Sequence, residues 1–248
     1  MFKKSKKGYY FWEEFTKISG IVHGFSMRRF GDMNPKNPCS SQNQGKFLRR
    51  LVEIGEKDIV KMNQVHGNNV CFVSFNDRGK EIKKTDGLVS AKKNVFLLAT
   101  FADCIPVLFL DKDKRIFGIA HAGWRGAYLE IVKEVVETMV KKGSDKSKIM
   151  VGIGPSIRVC CYDISKDREM AFKYRFPEMK KIVERRHGKI FLNLSKVIRF
   201  QLIDSGVLSK NILDCKLCTK DNALEFYSFR KEHGKSSFGL CAGVIGRT

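Results

Sequence analysis

The sequence has no apolar run long enough to span a bilayer, which excludes a membrane-spanning helix, and no membrane partner is expected. Its basic start, Met1 to Tyr10, is followed by no apolar segment of the kind a secretory signal requires, so a cytoplasmic protein is expected. No internal repeat, linker or low-complexity stretch divides the chain. Histidine is scarce, with five residues in 248. That supply is too small for a blue-copper centre and a multinuclear copper cluster together, which weighs against copper oxidase chemistry. Acidic residues are also short: 26 Asp and Glu stand against 47 Lys and Arg, a net charge of +21. Such a charge attracts polyanions, phosphate esters included. The basic residues are dispersed, with small groups at Lys3 to Lys7, Arg49-Arg50 and Lys180 to Arg186. None is interleaved with aromatics in a nucleic-acid motif, so no specific nucleic-acid partner is expected. A basic RNA-binding protein is supported by charge alone, and a steep salt dependence would be its mark.

What is present suits a single soluble domain. A chain of 248 residues with 43% hydrophobic content can bury a sizeable core. Asn94 to Thr100, Ile105 to Leu110 and Arg115 to His121 read as central strands from their apolar runs. Tyr9 to Trp12, Gly20 to Ser26, Ile59 to Val65, Lys148 to Ile153, Ile212 to Cys215, Glu225 to Phe229 and Ser237 to Ile245 read as further strands. Asn69 to Phe75 reads as a hairpin partner of Ile59 to Val65. Helices are predicted over Gln44 to Glu56, Ser165 to Tyr174 and Asn193 to Asp204. Another follows Gly126, with Leu129, Val132 and Val136 on its buried stripe and Gly143 at its end. The sum is one α+β domain over residues 1–248, with mixed sheets packed by helices and disorder expected at residues 1–8.

The chemistry gathers at two stretches. Ala102-Asp103-Cys104 places an acid and a thiol just before an apolar strand. His121-Ala122-Gly123-Trp124-Arg125-Gly126 ends the next strand and turns through glycine into a helix. If these strands are antiparallel neighbours, Cys104 and His121 meet at one end of a sheet. His66, in Asn63-Gln64-Val65-His66-Gly67, offers a second imidazole at a strand end. Two histidines and a cysteine can form a three-ligand zinc site with an open fourth position. The same pair, Cys104 with His121 as base, could serve a metal-free cysteine hydrolase or deamidase. Asp103 must find partners if buried. It then either caps the turn, backs a metal-bound histidine or accepts a proton. Arg125 and the helix N-terminus favour an anion, and phosphate is the candidate. The eight cysteines are scattered. Cys160-Cys161 and the Cys215–Cys218 pair of a C-x-x-C read as free thiols, with structural roles expected for the latter. His23 reads as packing, and His187 and His233 as polar-loop side chains.

These residues carry a resemblance that runs in order along the chain. Gln64-Val65-His66-Gly67, Thr85-Asp86-Gly87-Leu88-Val89, Ala102-Asp103-Cys104 and His121 to Gly126 resemble the motif series of the YfiH/laccase-domain family. Gly152 to Ile157, Cys160 to Ile164, Cys218-Thr219, Phe226 to Arg230 and Ala242 to Gly246 continue it. Arg28 and Arg230 match arginines of that series, although Phe30-Gly31 and Phe229 depart from the usual pattern. The resemblance implies His66, Cys104 and His121 as metal ligands, with zinc ahead of copper. It implies purine nucleoside phosphorolysis and adenosine deamination, with adenosine, inosine, guanosine and methylthioadenosine as the substrate class. The family's older association is polyphenol oxidation. Cys104, His121, Asp103 and Arg125 are the candidate catalytic residues, and Arg28, Arg125 and Arg230 the candidate phosphate binders.

Overall fold

A computed structural model describes residues 1–52, 55–232 and 238–248. Two large sheets lie face to face. The first is seven-stranded, in the order β1 (Phe2–Lys4), β2 (Tyr10–Trp12), β3 (Ile21–Phe25), β16 (Cys241–Arg247), β8 (Val95–Phe101), β4 (Ile59–Met62) and β6 (Glu81–Ile82). The second is six-stranded, in the order β15 (Ile212–Asp214), β11 (Ile149–Ile153), β9 (Ile105–Asp111), β10 (Ile116–Ala122), β7 (Gly87–Ser90) and β5 (Val70–Phe72). A small three-stranded sheet joins β12 (Asp163–Ile164), β14 (Lys189–Leu192) and β13 (Val183–Arg186). The helices are α1 (Glu13–Thr16), α2 (Ser40–Leu51), α3 (Trp124–Tyr128), α4 (Ile131–Lys141), α5 (Lys166–Arg175), α6 (Leu194–Asp204) and α7 (Phe229–Glu232).

The period-two alternation of side chains explains the layers. On β8, Leu97, Ala99 and Phe101 face the other sheet, while Phe96 and Leu98 face Phe47 and Leu48 of α2. On β9, Leu108 and Leu110 face the first sheet. Val107 and Phe109 point the other way, into a core shared with Val132 and Val136 of α4 and Val197 and Ile198 of α6. The result is helix, sheet, sheet, helix. Each central strand is covered on both sides, which is why its sequence is apolar without interruption. Burying each such side chain stabilises the fold by about 1.5–3 kcal/mol. The paired strands therefore form a firm floor, and the polar residues collect where they end.

Several expectations are corrected. Residues 1–8 are not a disordered lead: Phe2 stacks against Tyr10, with ring centroids 5.2 Å apart, and β1 pairs with β2. β4 and β5 do not form a hairpin. β4 pairs with β8 and β6, whereas β5 pairs with β7 in the other sheet, so the chain crosses between sheets through the His66 loop. The helix after Gly126 is two helices. Glu130 takes φ 62° between α3 and α4, and Leu129 is exposed. The buried stripe is Ile131, Val132, Val135, Val136 and Met139. Glu225 to Phe229 is not a strand. Asn222 and Phe226 close a turn there, Phe226 is buried, and α7 begins at Phe229. Lys180 to Lys189 is largely exposed, and Val183–Arg186 within it forms β13 of the β13–β14 hairpin, with His187 exposed at the turn. His233 and the first part of the strand predicted over Ser237 to Ile245 lie outside the described residues.

Candidate metal and anion site

The antiparallel register of β9 and β10 pairs Pro106 with His121 and Ile105 with Ala122. Cys104, one residue before β9, therefore lies beside His121 at the same sheet end. His66 arrives from the other sheet on a loop anchored at both sides. Gln64 enters it by exchanging hydrogen bonds with Thr100 on β8: its Oε1 accepts from the Thr100 N–H at 2.9 Å, and its Nε2 donates to the carbonyl at 3.0 Å. The donor atoms of His66, Cys104 and His121 all lie within 4.8 Å of one another. The two imidazoles stand edge-on, centroids 4.8 Å apart and planes at 81°. Gly123 makes room for them: a Cβ there would sit 2.9 Å from Cys104 Sγ and 3.0 Å from His66 Cδ2.

Asp86 holds this assembly. It lies just before β7, which pairs with β10 so that Ala120 faces Gly87. The His121 backbone N–H donates to the Asp86 carbonyl at 2.8 Å, and His121 Nδ1 lies 2.9 Å from Asp86 Oδ1. A carboxylate only accepts, so Nδ1 carries the hydrogen and Nε2 is left to face Cys104. The Asp86 carboxylate also accepts from the N–H groups of Val65, His66 and Gly67 at 3.1, 3.0 and 2.8 Å. This clamp supports His66 at φ 61°, an unfavoured backbone conformation for a side chain of its size. Burial by itself would raise the Asp86 carboxyl, but the His121 bond and the backbone N–H groups hold it below the ordinary carboxylate value. Burial would likewise raise the Cys104 thiol. The His121 imidazolium and then His66 outweigh that and bring it down to about 6. For His121 the burial effect is downward, and the Cys104 thiolate and Asp86 reverse it.

Of the roles open for Asp103, its contacts match the holding of the turn rather than the backing of a histidine. Asp103 is buried with φ 83°. Its Oδ1 accepts from Thr219 Oγ1 at 2.6 Å and its Oδ2 from the Arg230 N–H at 2.7 Å, while its carbonyl accepts from the Ile157 N–H at 2.9 Å. Three partners over-determine the turn, which aims the next residue, Cys104, at the imidazoles. Asp86, not Asp103, orients His121. The helix contribution to anion binding is also smaller than expected, because α3 has only five residues and the longer α4 starts at Ile131.

The arginines divide into committed and available groups. Arg28 Nη1 donates to Glu232 Oε1 at 2.6 Å, and the guanidinium lies over Tyr227, so Arg28 pins α7. Arg230, on α7, donates to the Asp163 carboxylate at 2.7 Å and carbonyl at 2.9 Å and lies over Tyr162. Arg125 is exposed on α3, with its guanidinium 5.3 Å from the Trp124 ring. Arg168 lies nearer that ring, at 4.1 Å. Sequence reasoning quoted Asp86 and Tyr162 within the motif series without giving either a role, and left out Arg168. Burial pushes the Tyr162 hydroxyl up to about 12 against the pull of Arg168, so it stays a neutral O–H donor.

The donor set suits a metal ion. A thiol already drawn toward thiolate, two imidazoles and a carboxylate behind one of them are the parts from which three-ligand metal sites are built. The family model described as multi-copper polyphenol oxidoreductase laccase matches residues 23–248, and the chain belongs to that laccase-like family. Its curated relatives carry enzyme names. A Bacillus subtilis protein named purine nucleoside phosphorylase YlmD is 39% identical over 183 residues, covering 70% of this chain and 66% of that protein. Adenosine deaminase RL5, from an unknown prokaryotic organism, is 30% identical over 241 residues, covering 88% of this chain and 92% of that protein. The crystal structure of YlmD from Geobacillus stearothermophilus superposes with a TM-score of 0.91 at 26% identity, covering 99% of this chain and 98% of that one. Among the described residues no helix is long and apolar enough to cross a membrane.

Proposed function

We propose that the chain is a zinc-dependent purine nucleoside phosphorylase that also deaminates adenosine. The observation that carries this reading is the convergence of His66, Cys104 and His121, with their donor atoms within 4.8 Å. Trp124, next to the Gly123 that packs on Cys104, has the guanidinia of Arg125 and Arg168 near its ring. The names of the relatives support the reaction class. His66, Cys104 and His121 would hold zinc, which when bound supplies Lewis acidity and stabilisation of developing negative charge. In phosphorolysis a phosphate oxygen forms a bond to the ribose C1′ as the bond from C1′ to the purine nitrogen breaks. The electron pair of that bond leaves with the purine, which takes up a proton. Arg125 and Arg168 hold the phosphate by charge-assisted hydrogen bonds and fix its approach. Asp86 keeps His121 in one tautomer and fixes the His66 loop. Tyr162, whose hydroxyl feels the charge of Cys104, supplies a neutral O–H donor. In deamination a water oxygen bonds to C6 of the purine as the bond from C6 to the amino nitrogen breaks. The amino group takes up a proton and leaves as ammonia, and no phosphate takes part.

The experiment is a base-release assay on protein purified without a metal-binding tag, with inosine, adenosine, guanosine and methylthioadenosine, with and without phosphate. Phosphate-dependent release of base together with bound zinc is expected. Release of base without any need for phosphate would reject phosphorolysis. A second reading has one observation in its favour: Cys104, His121 and Asp86 line up as a thiolate, an imidazolium and an orienting carboxylate, the parts of a cysteine hydrolase. It leaves His66 without a role. It predicts full activity in metal-stripped protein and inactivation by a thiol alkylator. A copper oxidase has less support. Apart from His66, Cys104 and His121, the described residues offer one other donor cluster, and it contains no histidine.

A further inference from the structure

We propose that Cys160, Cys161, Cys218 and Asp221 form a second metal site that binds one zinc ion and staples together the two loops behind the catalytic cluster. Cys160 and Cys161 lie in a turn in which the N–H groups of Cys161 and Tyr162 both donate to the Arg158 carbonyl at 2.9 Å. Cys218 is held in the opposite loop by a parallel bridge to Ser156, and Asn222 N–H closes the following turn onto its carbonyl at 3.0 Å. That turn carries Asp221 back over the thiols. Its Oδ2 accepts from Cys160 Sγ and its Oδ1 from Cys161 Sγ, each at 3.0 Å. The three sulfurs and one carboxylate oxygen all lie within 4.8 Å of one another.

A tetrahedral zinc site with zinc–sulfur bonds of about 2.3 Å has sulfurs about 3.8 Å apart, so donors that now lie within 4.8 Å need to draw in by about 1 Å at most, while the carboxylate moves off the two thiols it now accepts from. Three thiolates with a carboxylate form a soft, closed donor set, which suits a structural zinc rather than a hard cation such as magnesium or calcium. Cys218 is buried at the floor, whereas Cys160 and Asp221 are exposed at the rim, so an ion can enter from solvent. The C-x-x-C spacing is misleading here. Cys215 turns away and accepts from Arg158 Nη2 at 3.3 Å, and Cys218 joins the vicinal pair instead. The thiol protons leave to solvent as the ion binds, and the binding free energy adds to folding stability. The linked loops also carry Thr219, which holds Asp103, and Asp163, which holds Arg230. The staple therefore braces the turn that presents Cys104.

The test uses full-length, untagged protein, stripped of metal and kept reduced, titrated with zinc against a chromophoric chelator. A His66→Ala/Cys104→Ala background removes the first donor cluster. Wild type should take up one more equivalent of zinc than this background, which should still bind one. Cobalt in its place should give the strong sulfur-to-cobalt absorption of a multi-thiolate site. Adding Cys160→Ser, at an exposed position, should abolish that equivalent and the zinc-induced rise in Tm. No uptake by the His66→Ala/Cys104→Ala protein would overturn the proposal. Unchanged uptake in the Cys160→Ser and Asp221→Asn versions of it would do the same. So would a disulfide at Cys218 with no zinc uptake after its reduction.

Discussion

Asp86 and His121 are joined twice, backbone to backbone at 2.8 Å and imidazole to carboxylate at 2.9 Å. Because the same carboxylate gathers the N–H groups of Val65, His66 and Gly67, one residue positions both imidazoles of the site. Asp86→Asn keeps the size but replaces one acceptor oxygen by a donor. It should therefore misplace His66 and free the tautomer of His121. Metal affinity, measured by chelator competition, should drop by about 10–100-fold, the usual effect of losing an orienting partner. Unchanged affinity would mean that the clamp is dispensable.

Gly123 tests the packing of the same site from the other side. Its φ is −73°, so glycine is not required by the backbone. The constraint is steric, because an added methyl would lie 2.9 Å from Cys104 Sγ. Gly123→Ala should lower bound metal and activity together while Tm changes little. A large loss of Tm with metal retained would point to a folding role instead.

The arginines should separate the two proposed reactions. Arg125→Lys or Arg168→Lys keeps the charge but loses the planar fork that grips phosphate. A hydrogen bond to a charged group is worth about 1.5–3 kcal/mol, so KM for phosphate should rise by roughly 10–100-fold. Adenosine deamination should be nearly unaffected. Equal losses in both reactions would make these arginines structural.

His23 gives the fold a pH dependence of its own. It is buried on β3, where Nε2 accepts from the Trp12 N–H at 2.9 Å, and burial pulls its pKa down to about 3. The unfolded chain takes up this proton near pH 6.5, and the folded chain does not until far lower pH. The stability is thus present above the unfolded value and is lost as pH falls toward the folded one. The slope should reach about 1.4 kcal/mol per pH unit. Urea unfolding at a series of pH values should show this slope in wild type and a shallower one in His23→Gln, which retains an acceptor. Identical slopes would remove His23 as the cause.

The sequence made the floor of the site legible and left its clamp hidden. Val95–Phe101, Ile105–Asp111 and Ile116–Ala122 are apolar throughout because both faces are buried, and the short link between the last two implies antiparallel neighbours. That alone brings Cys104 to His121. Which acid serves His121 depends on the pairing of β10 with β7, across more than thirty residues, and no local pattern distinguishes Asp86 from Asp103. The break between α3 and α4 was equally hidden, since Glu130 adopts a left-handed conformation with no glycine or proline to mark it. Glu225 to Phe229 reads as a strand from its aromatics, yet Phe226 is buried through a turn. The convergence of Cys218 with Cys160 and Cys161 likewise depends on a bridge between distant loops.

The most direct test is the Cys104→Ser variant, with zinc content and phosphate-dependent release of base measured on the same untagged preparation. Serine is a poor zinc ligand, so the variant should lose most of its zinc and, with it, both phosphorolysis and adenosine deamination. Full phosphate-dependent release of base by zinc-free Cys104→Ser protein would contradict the account.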